Sequence, residues 1–313
     1  MSDPTAQHRL SGLARLKLFW ALSRTPHGLL DMCTPAFAAL LWLGRFPAVE
    51  VILVGLLTTF AGYTAVYALN DVVDYRVDRE KAAAGGLAAA GSDIDGLIVR
   101  HPMAQGLLSF TEGSLWALFW SAVALIGAFI LNPVCILIFV GGCVCEAVYC
   151  RLWRVSPYRT LVSGAVKTSG AMAAVFAVDP APAPGFLAVL FLTLFFWEIG
   201  GQNIPNDMTD IEEDRQMMAR TIPVCFGVER SIVIAVASLS AAVLINPVVF
   251  QLAALPRKGL SSLLALAVGC CLLLWPALHL IQGKGREPAM ALFNRASYYP
   301  PALLGVVLIS FII

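Results

Sequence analysis

Two segments of this chain concentrate oxygen-bearing side chains at helical spacing. Asn70, Asp74 and Asp78 recur every fourth residue. On a helix they form one stripe, with Asp71 a turn away from Asp74. Asn203, Asp207, Asp210 and Asp214 follow at intervals of 4, 3 and 4, a pattern that again shares one helix face, while Glu212 and Glu213 fall off it. Like charges at these spacings repel and destabilise a bare helix, so each stripe requires a counter-charge. A hard divalent cation supplies one. Mg²⁺ binds one or two carboxylates and completes its octahedron with water and phosphate oxygens. Two such stripes facing each other read as a Mg²⁺–diphosphate site, in which the metal neutralises a leaving diphosphate and helps its C–O bond ionise. The metal candidates are Asn70, Asp74, Asp78, Asp207, Asp210 and Asp214. A solvated acidic cap on each helix is the alternative; it suits one such motif better than two on the same side of the chain's fold.

The elements that must position these residues follow from composition. Of 313 residues, 59% are hydrophobic and only 13% charged, with net charge +1. Soluble domains carry about 25% charged residues, so the solvent is a bilayer. Disorder is excluded, and the absence of a long basic run argues against a nucleic-acid partner. About 20 apolar residues cross a hydrocarbon core of about 30 Å. Nine candidate spans lie at 28–45, 49–69, 114–131, 133–150, 160–178, 185–205, 229–250, 261–281 and 297–313. The expected fold is all-α and polytopic, a single unit over 1–313 with no separating linker. Most of the 21 Lys and Arg fall before the first span or after even-numbered ones. The positive-inside rule then puts the N-terminus and both acidic motifs on the cytoplasmic side, most simply of a bacterial inner membrane. His8 to Ser23 mixes cations with Leu, Phe19 and Trp20 and suits the membrane interface. Residues 1–26 lack the pattern of a cleavable signal peptide. The eight cysteines show no metal-ligand spacing and read as buried small hydrophobes.

Three charges stand alone inside the spans: Glu146, Lys167 and Glu198. Such groups are costly in a membrane and default to function. Lys167 either pairs with Glu146 or touches diphosphate or acceptor. Glu198 precedes Asp207 by nine residues, about 13 Å deeper on a helix, where an acceptor or a carbocation would lie. An interhelical polar contact is its alternative. Asn203 and Asn206 flank the site and could ligate metal or orient substrate. Tyr63, Tyr67, Tyr149, Phe196 and Trp197 are near enough to stabilise a cation through their rings, or to be ordinary core.

Asn70-Asp71-x-x-Asp74-x-x-x-Asp78 resembles the first motif, NDxxDxxxD, of the UbiA superfamily of intramembrane prenyltransferases. Asp207-x-x-Asp210-x-x-x-Asp214-Arg215 is similar to its second, and Arg220-Thr221-Ile222-Pro223 to the stretch that follows. Arg100-His101-Pro102 looks like that family's Arg-Pro segment with a histidine inserted, and Arg24-Thr25-Pro26 echoes another. The resemblance implies helices around a central cavity, Mg²⁺ between both motifs, and an isoprenyl tail in an apolar tunnel. It further implies ionisation to an allylic cation and capture by a hydrophobic, usually aromatic, acceptor. Asp71, Lys167 and Glu198 are then candidate catalytic groups. Arg100, Arg151, Arg154, Arg215 and Asn203 are candidate substrate contacts. A terpene cyclase or a phosphoribosyl transfer to polyprenyl phosphate would fit the same superfamily, and a transporter of a cation or phosphorylated lipid is the rival from another class. Two departures stand out: a long cytoplasmic loop over 82–99, and Trp153 where many members have the lysine of Tyr-x-x-x-Lys, leaving Arg151 or Arg154 to supply a phosphate cation.

Overall fold

Apolar runs bounded by Pro, Gly and Asn set the elements. The computed structural model describes residues 12–83 and 99–312, and every regular element among them is helical. Helices α1 (Gly12–Leu22), α2 (Thr25–Asp31) and α3 (Cys33–Leu43) lead into the 35-residue α4 (Val49–Ala83). Next come α5 (Phe110–Leu131), α6 (Pro133–Arg151), α7 (Arg159–Val178) and α8 (Pro184–Trp197). A π-helical turn (Glu198–Asn203) passes into the short α9 (Ile204–Thr209), α10 (Ile211–Gln216) and α11 (Ile222–Phe226). The chain closes with α12 (Val228–Leu252), α13 (Lys258–Gly269), α14 (Trp275–Gly283), α15 (Arg286–Ser297) and α16 (Tyr299–Ile312). The loop expected over 82–99 falls, from 84 to 98, outside the described residues.

Local chemistry explains the boundaries. Ser109 and Glu112 form a reciprocal capping box that starts α5, which satisfies donors the first turn would leave orphaned. Asn132 accepts from the Val134 N–H at 2.9 Å, and Pro133 occupies the first position of α6, where its missing N–H is harmless.

Among the described residues, eight helical runs are long and apolar enough to cross a membrane. The first expected span is not among them. It breaks at Met32 between α2 and α3, because Pro35 has no N–H for the Asp31 carbonyl one turn back. The last is longer than expected, since α15 and α16 run on over Arg286–Ile312 with only Tyr298 between them. The outer faces of α5 and α6 expose Leu118, Phe129 and Leu137, each at least 66%, whereas buried Asp, Glu and Arg point inward. That inversion is the signature of a protein solvated by lipid; it is an integral membrane protein. The cysteines depart from expectation: Cys135 and Cys150 are buried, but Cys225, Cys270 and Cys271 are exposed.

Going round the bundle, α4 packs on α5, α6 on α7, α7 on α8, α8 on α12, α12 on α13, α13 on α16, and α16 on α3, which returns to α7. Helices α3, α4, α6 and α7 enclose the cavity between them. Small residues permit the close approaches. A Cβ on Gly200, in the π turn, would lie 2.5 Å from the Ala235 carbonyl oxygen of α12. Gly200→Ala is therefore expected to force the turn off α12 and cost about 1–3 kcal/mol as overpacking, seen as a lower melting temperature in detergent. An unchanged melting temperature would contradict this contact.

Candidate active site

One cavity of about 530 Å³ runs through the bundle. Its polar end is lined by Asp74, Asp78, Lys81, Arg100, His101 and Asp210, and its apolar end by Pro47, Val51, Ile52, Leu131 and Val178. Val51 and Asp74 lie on the same helix, and the 23 residues between them rise about 35 Å. The cavity thus extends over the depth of a hydrocarbon core of about 30 Å.

At the polar end, α4 presents two faces rather than one stripe. Residues seven apart on a helix differ by only about 20° in direction, which aligns Asp71 with Asp78 more closely than Asp78 with Asn70. Between them sits His101, its Nδ1 3.2 Å from Asp71 Oδ1 and 3.0 Å from Asp78 Oδ2. Arg24 adds a second cation 3.7 Å from Asp71. Burial disfavours a charged imidazole, yet the two carboxylates outweigh it and hold the His101 pKa up at about 9. His101 has φ 47°, a left-handed conformation that costs a non-glycine residue energy and clusters at functional sites. The histidine inserted between Arg100 and Pro102 was the sequence signal for this contact.

The donor set suits a divalent cation. Asp71, Asp78 and His101 each offer a ligand atom within 4.8 Å of the others. Among the described residues, the buried Asp207 Oδ2 has no hydrogen-bond partner, and the buried Asp71 Oδ1 and Asp78 Oδ2 are met by cationic side chains alone, His101 and, at Asp71, Arg24. A hard cation satisfies such oxygens. Asp74 and Asp210 face the same space.

The second motif departs from the expected single face. The π turn inserts extra residues into the helical register, and the backbone breaks at Asp210, with φ −113° and ψ 15°. Asp210 therefore lines the cavity, whereas Asp207 and Asp214 lie behind the wall. Asp207 pairs with Arg159 at 3.4 Å. Asp214 accepts from the Thr221 hydroxyl at 3.1 Å, and burial above all raises its pKa to about 6. Asn70 lines the cavity, but its amide donates to Glu146 at 2.6 Å. Asn203 accepts from Thr160 at 2.7 Å and donates to the Tyr149 hydroxyl at 3.0 Å.

The cations also sort differently from expectation. Arg100 lines the cavity, but Arg151, Arg154 and Arg215 do not. Arg154 is tied to Glu80 at 2.6 Å, Arg215 to Glu212 at 3.5 Å, and Arg151 is exposed. Their places are taken by Lys81 and by Arg159, the latter 7% exposed and donating to the Tyr149 hydroxyl at 2.6 Å. Lys81 sits 4.5 Å from the Trp153 ring centroid and 3.6 Å from Glu213. Trp153 at the usual lysine position thus supports a lysine from α4. The Lys81–Glu213 and Arg154–Glu80 pairs, with the Arg220 N–H on the Trp153 carbonyl at 2.8 Å, join the loops after the second, fourth and sixth spans. Both acidic motifs therefore meet at one end of the bundle.

Deeper in the cavity, Lys167 binds Asp31 at 2.6 Å and the Tyr67 hydroxyl at 3.1 Å, not Glu146. Tyr67 also donates to Asp31. Asp31 was legible as an acid at the start of an apolar span. Glu198 accepts from Ser163 at 2.7 Å. Trp197 is packed in the core with its indole on the Ala296 carbonyl at 3.0 Å, so it does not face substrate.

The model of the UbiA prenyltransferase family matches residues 32–298. The chain belongs to this family. As a UbiA-family prenyltransferase it has distant relatives of known name. It is 22% identical over 233 residues to a digeranylgeranylglyceryl phosphate synthase of Thermococcus sibiricus, covering 73% of this chain and 77% of that one. The apo structure of a UbiA homolog from Aeropyrum pernix K1 superposes with TM-score 0.73 at 19% identity, covering 92% of this chain and 98% of that one. A UbiA homolog from Archaeoglobus fulgidus bound to DMAPP and Mg²⁺ has TM-score 0.67 at 19% identity, covering 93% and 99%. These likenesses fix the UbiA fold.

Proposed function

We propose that this UbiA-family protein transfers an isoprenyl group from an isoprenyl diphosphate to a hydrophobic acceptor inside the membrane, in a Mg²⁺-dependent step. The observation that carries this reading is a cavity, about as deep as the bilayer core is thick, that joins an acidic, metal-competent end to an apolar end. The structural relative from Archaeoglobus fulgidus is bound to DMAPP and Mg²⁺, which supports an isoprenyl diphosphate and Mg²⁺ as the ligands. Asp71, Asp74, Asp78 and Asp210 would hold Mg²⁺, with Asn70, Asn203 and Asn206 beside them. Asp207 and Asp214 support from behind, Asp207 by fixing Arg159. Lys81, Arg100 and Arg159 bind the diphosphate oxygens that the metal leaves open. Bound Mg²⁺ supplies charge neutralisation at the departing diphosphate. The protein's own part is to align the C–O bond with the cavity axis and to keep water from the cation behind apolar walls. With the positive-inside orientation, the diphosphate enters from the cytoplasmic side of a bacterial-type inner membrane, and the whole chain acts as one unit.

The test is diphosphate release from geranylgeranyl diphosphate by purified protein, with mass spectrometry of the products. Release should require Mg²⁺, stop with EDTA and resume on adding Mg²⁺ back. Release that ignores EDTA would sink the metal assignment. Cyclised hydrocarbon formed without any acceptor would move the assignment to a terpene cyclase, and binding without release would favour a transporter.

A further inference from the structure

One segment outside the two acidic motifs reaches into the polar end of the cavity. Between α4 and α5 the chain folds over 102–106 into a run of turns. The Pro102 carbonyl accepts from the Leu107 N–H at 2.9 Å and the Leu108 N–H at 3.2 Å, and the His101 carbonyl accepts from the Gln105 N–H at 3.2 Å. Met103 anchors the turn in the core at 2% exposure. The His101 ring is thereby carried to α4 on a fixed backbone, and it lines the cavity.

Hydrogen bonding alone does not account for the ring's contacts. Nδ1 lies 3.2 Å from Asp71 Oδ1 and 3.0 Å from Asp78 Oδ2. A ring nitrogen carries at most one hydrogen, so it can serve only one of these oxygens well, and neither contact has the geometry of a normal hydrogen bond. Asp71 and Asp78 are 2% and 5% exposed. Arg24 approaches Asp71 Oδ1 only to 3.7 Å, beyond hydrogen-bond length. Metal coordination does account for the spacing. Ligand atoms about 2.1 Å from a metal stand about 3.0 Å apart at right angles and about 3.4 Å apart in a tetrahedron. The three atoms all lie within 4.8 Å of one another, as neighbouring ligands of one ion do.

The donor set also discriminates between ions. Mg²⁺ takes oxygen ligands and sheds its water reluctantly, whereas an imidazole nitrogen favours first-row transition metals. We infer that Asp71, Asp78 and His101 form a mixed oxygen–nitrogen site for a divalent transition metal, Mn²⁺ through Zn²⁺, which it holds in preference to Mg²⁺. The inference deepens the prenyl-transfer reading above, on which it rests, by changing the ion that the first motif selects. On binding, the ion puts two positive charges where the histidine supplies at most one, and any proton on Nδ1 leaves to water. Asp74 and Asp210 offer oxygen alone, so an ion held by them without His101 would keep the ordinary Mg²⁺ preference. His101 is thus a specificity-determining residue for the metal.

The test uses the full chain in nanodiscs with Mn²⁺ alone. Pulsed electron paramagnetic resonance of the bound Mn²⁺ is expected to show a directly coordinated imidazole nitrogen, and Mg²⁺ should need about a hundredfold excess to displace half of the ion. In His101→Asn, whose side chain tolerates the left-handed backbone, the nitrogen signal should vanish and Mn²⁺ affinity fall about tenfold or more, while Mg²⁺ affinity holds or rises. His101→Gly, which suits φ 47° best, is the second variant and should behave alike. Loading of geranyl thiolodiphosphate, an analogue that does not ionise, at saturating Mg²⁺ should stay within about twofold in at least one variant, which separates a lost ligand from a lost fold. No nitrogen signal in the wild type, the same signal in both variants, or Mg²⁺ competing at parity would overturn the inference. If the wild-type protein loads no thiolodiphosphate with either ion, the prenyl-transfer reading itself fails; if it loads but bound Mn²⁺ shows no nitrogen, only the choice of ion does.

Discussion

Asp74→Ala and Asp210→Ala are each expected to lower prenyl transfer by at least about 10³-fold while leaving the protein folded. The two carboxylates line the same end of the cavity but come from different halves of the chain, α4 and the break between α9 and α10. A cation held by Asp71, Asp74, Asp78 and Asp210 loses one of its four carboxylates when either is removed. Electrophilic stabilisation by a metal is worth several kcal/mol, and each 1.36 kcal/mol is a factor of ten in rate. Relief of like-charge repulsion compensates part of the lost interaction in the folded state, so the melting temperature should hold or rise. The discriminating measurement is Mg²⁺-dependent binding of geranyl thiolodiphosphate, which should fall in step with the rate. Either variant with full activity would remove its carboxylate from the site. Asp214→Ala provides a contrast: Asp214 is behind the wall and bonded to Thr221, so stability should fall alongside activity.

The bundle was largely legible because a bilayer imposes long apolar runs that composition alone reveals. Paired acidic motifs on one side were legible for a related reason, since charge in such a chain is confined to the loops. What resisted was register. A stripe of Asn70, Asp74 and Asp78 assumes that spacing of four decides a face, yet the near-alignment of residues seven apart turns Asp71 and Asp78 together onto His101. For the second motif, Gly200 and Gly201 permit a π turn against α12, and the register shifts before Asp207. No local propensity announces this, because the turn is set by packing against Ala235 and Leu239. Partner choice among buried charges was equally hidden. Lys167 had a candidate at Glu146, but Asn70 occupies Glu146, and α2 carries Asp31 to within 2.6 Å of Lys167. The pairing is tertiary, between residues 136 apart in the chain.

Arg159→Met is expected to damage stability and catalysis together, and a second substitution should separate the two. Arg159 is the buried cation of the second motif, 3.4 Å from Asp207, with its guanidinium carbon 4.2 Å from the centre of the Tyr149 ring and one N–H on the Tyr149 hydroxyl at 2.6 Å. Tyr149 in turn accepts from Asn203, so one guanidinium holds α6, α7 and the entry to α9 in register. Breaking a buried pair leaves an uncompensated charge and costs about 3–5 kcal/mol. Arg159→Met should therefore melt well below the wild type. In Arg159→Met/Asp207→Asn the orphaned carboxylate is gone, and most of that stability should return, since removing both members of a buried pair is often nearly neutral. Activity should not return with it, because Arg159 also lines the cavity, where its planar fork suits diphosphate oxygens. Arg159→Lys should keep much of the fold yet raise KM for the isoprenyl diphosphate about tenfold, as one ammonium cannot serve Asp207, Tyr149 and a phosphate together. A double variant that regains full transfer would make Arg159 a purely structural residue and leave diphosphate binding to Lys81 and Arg100.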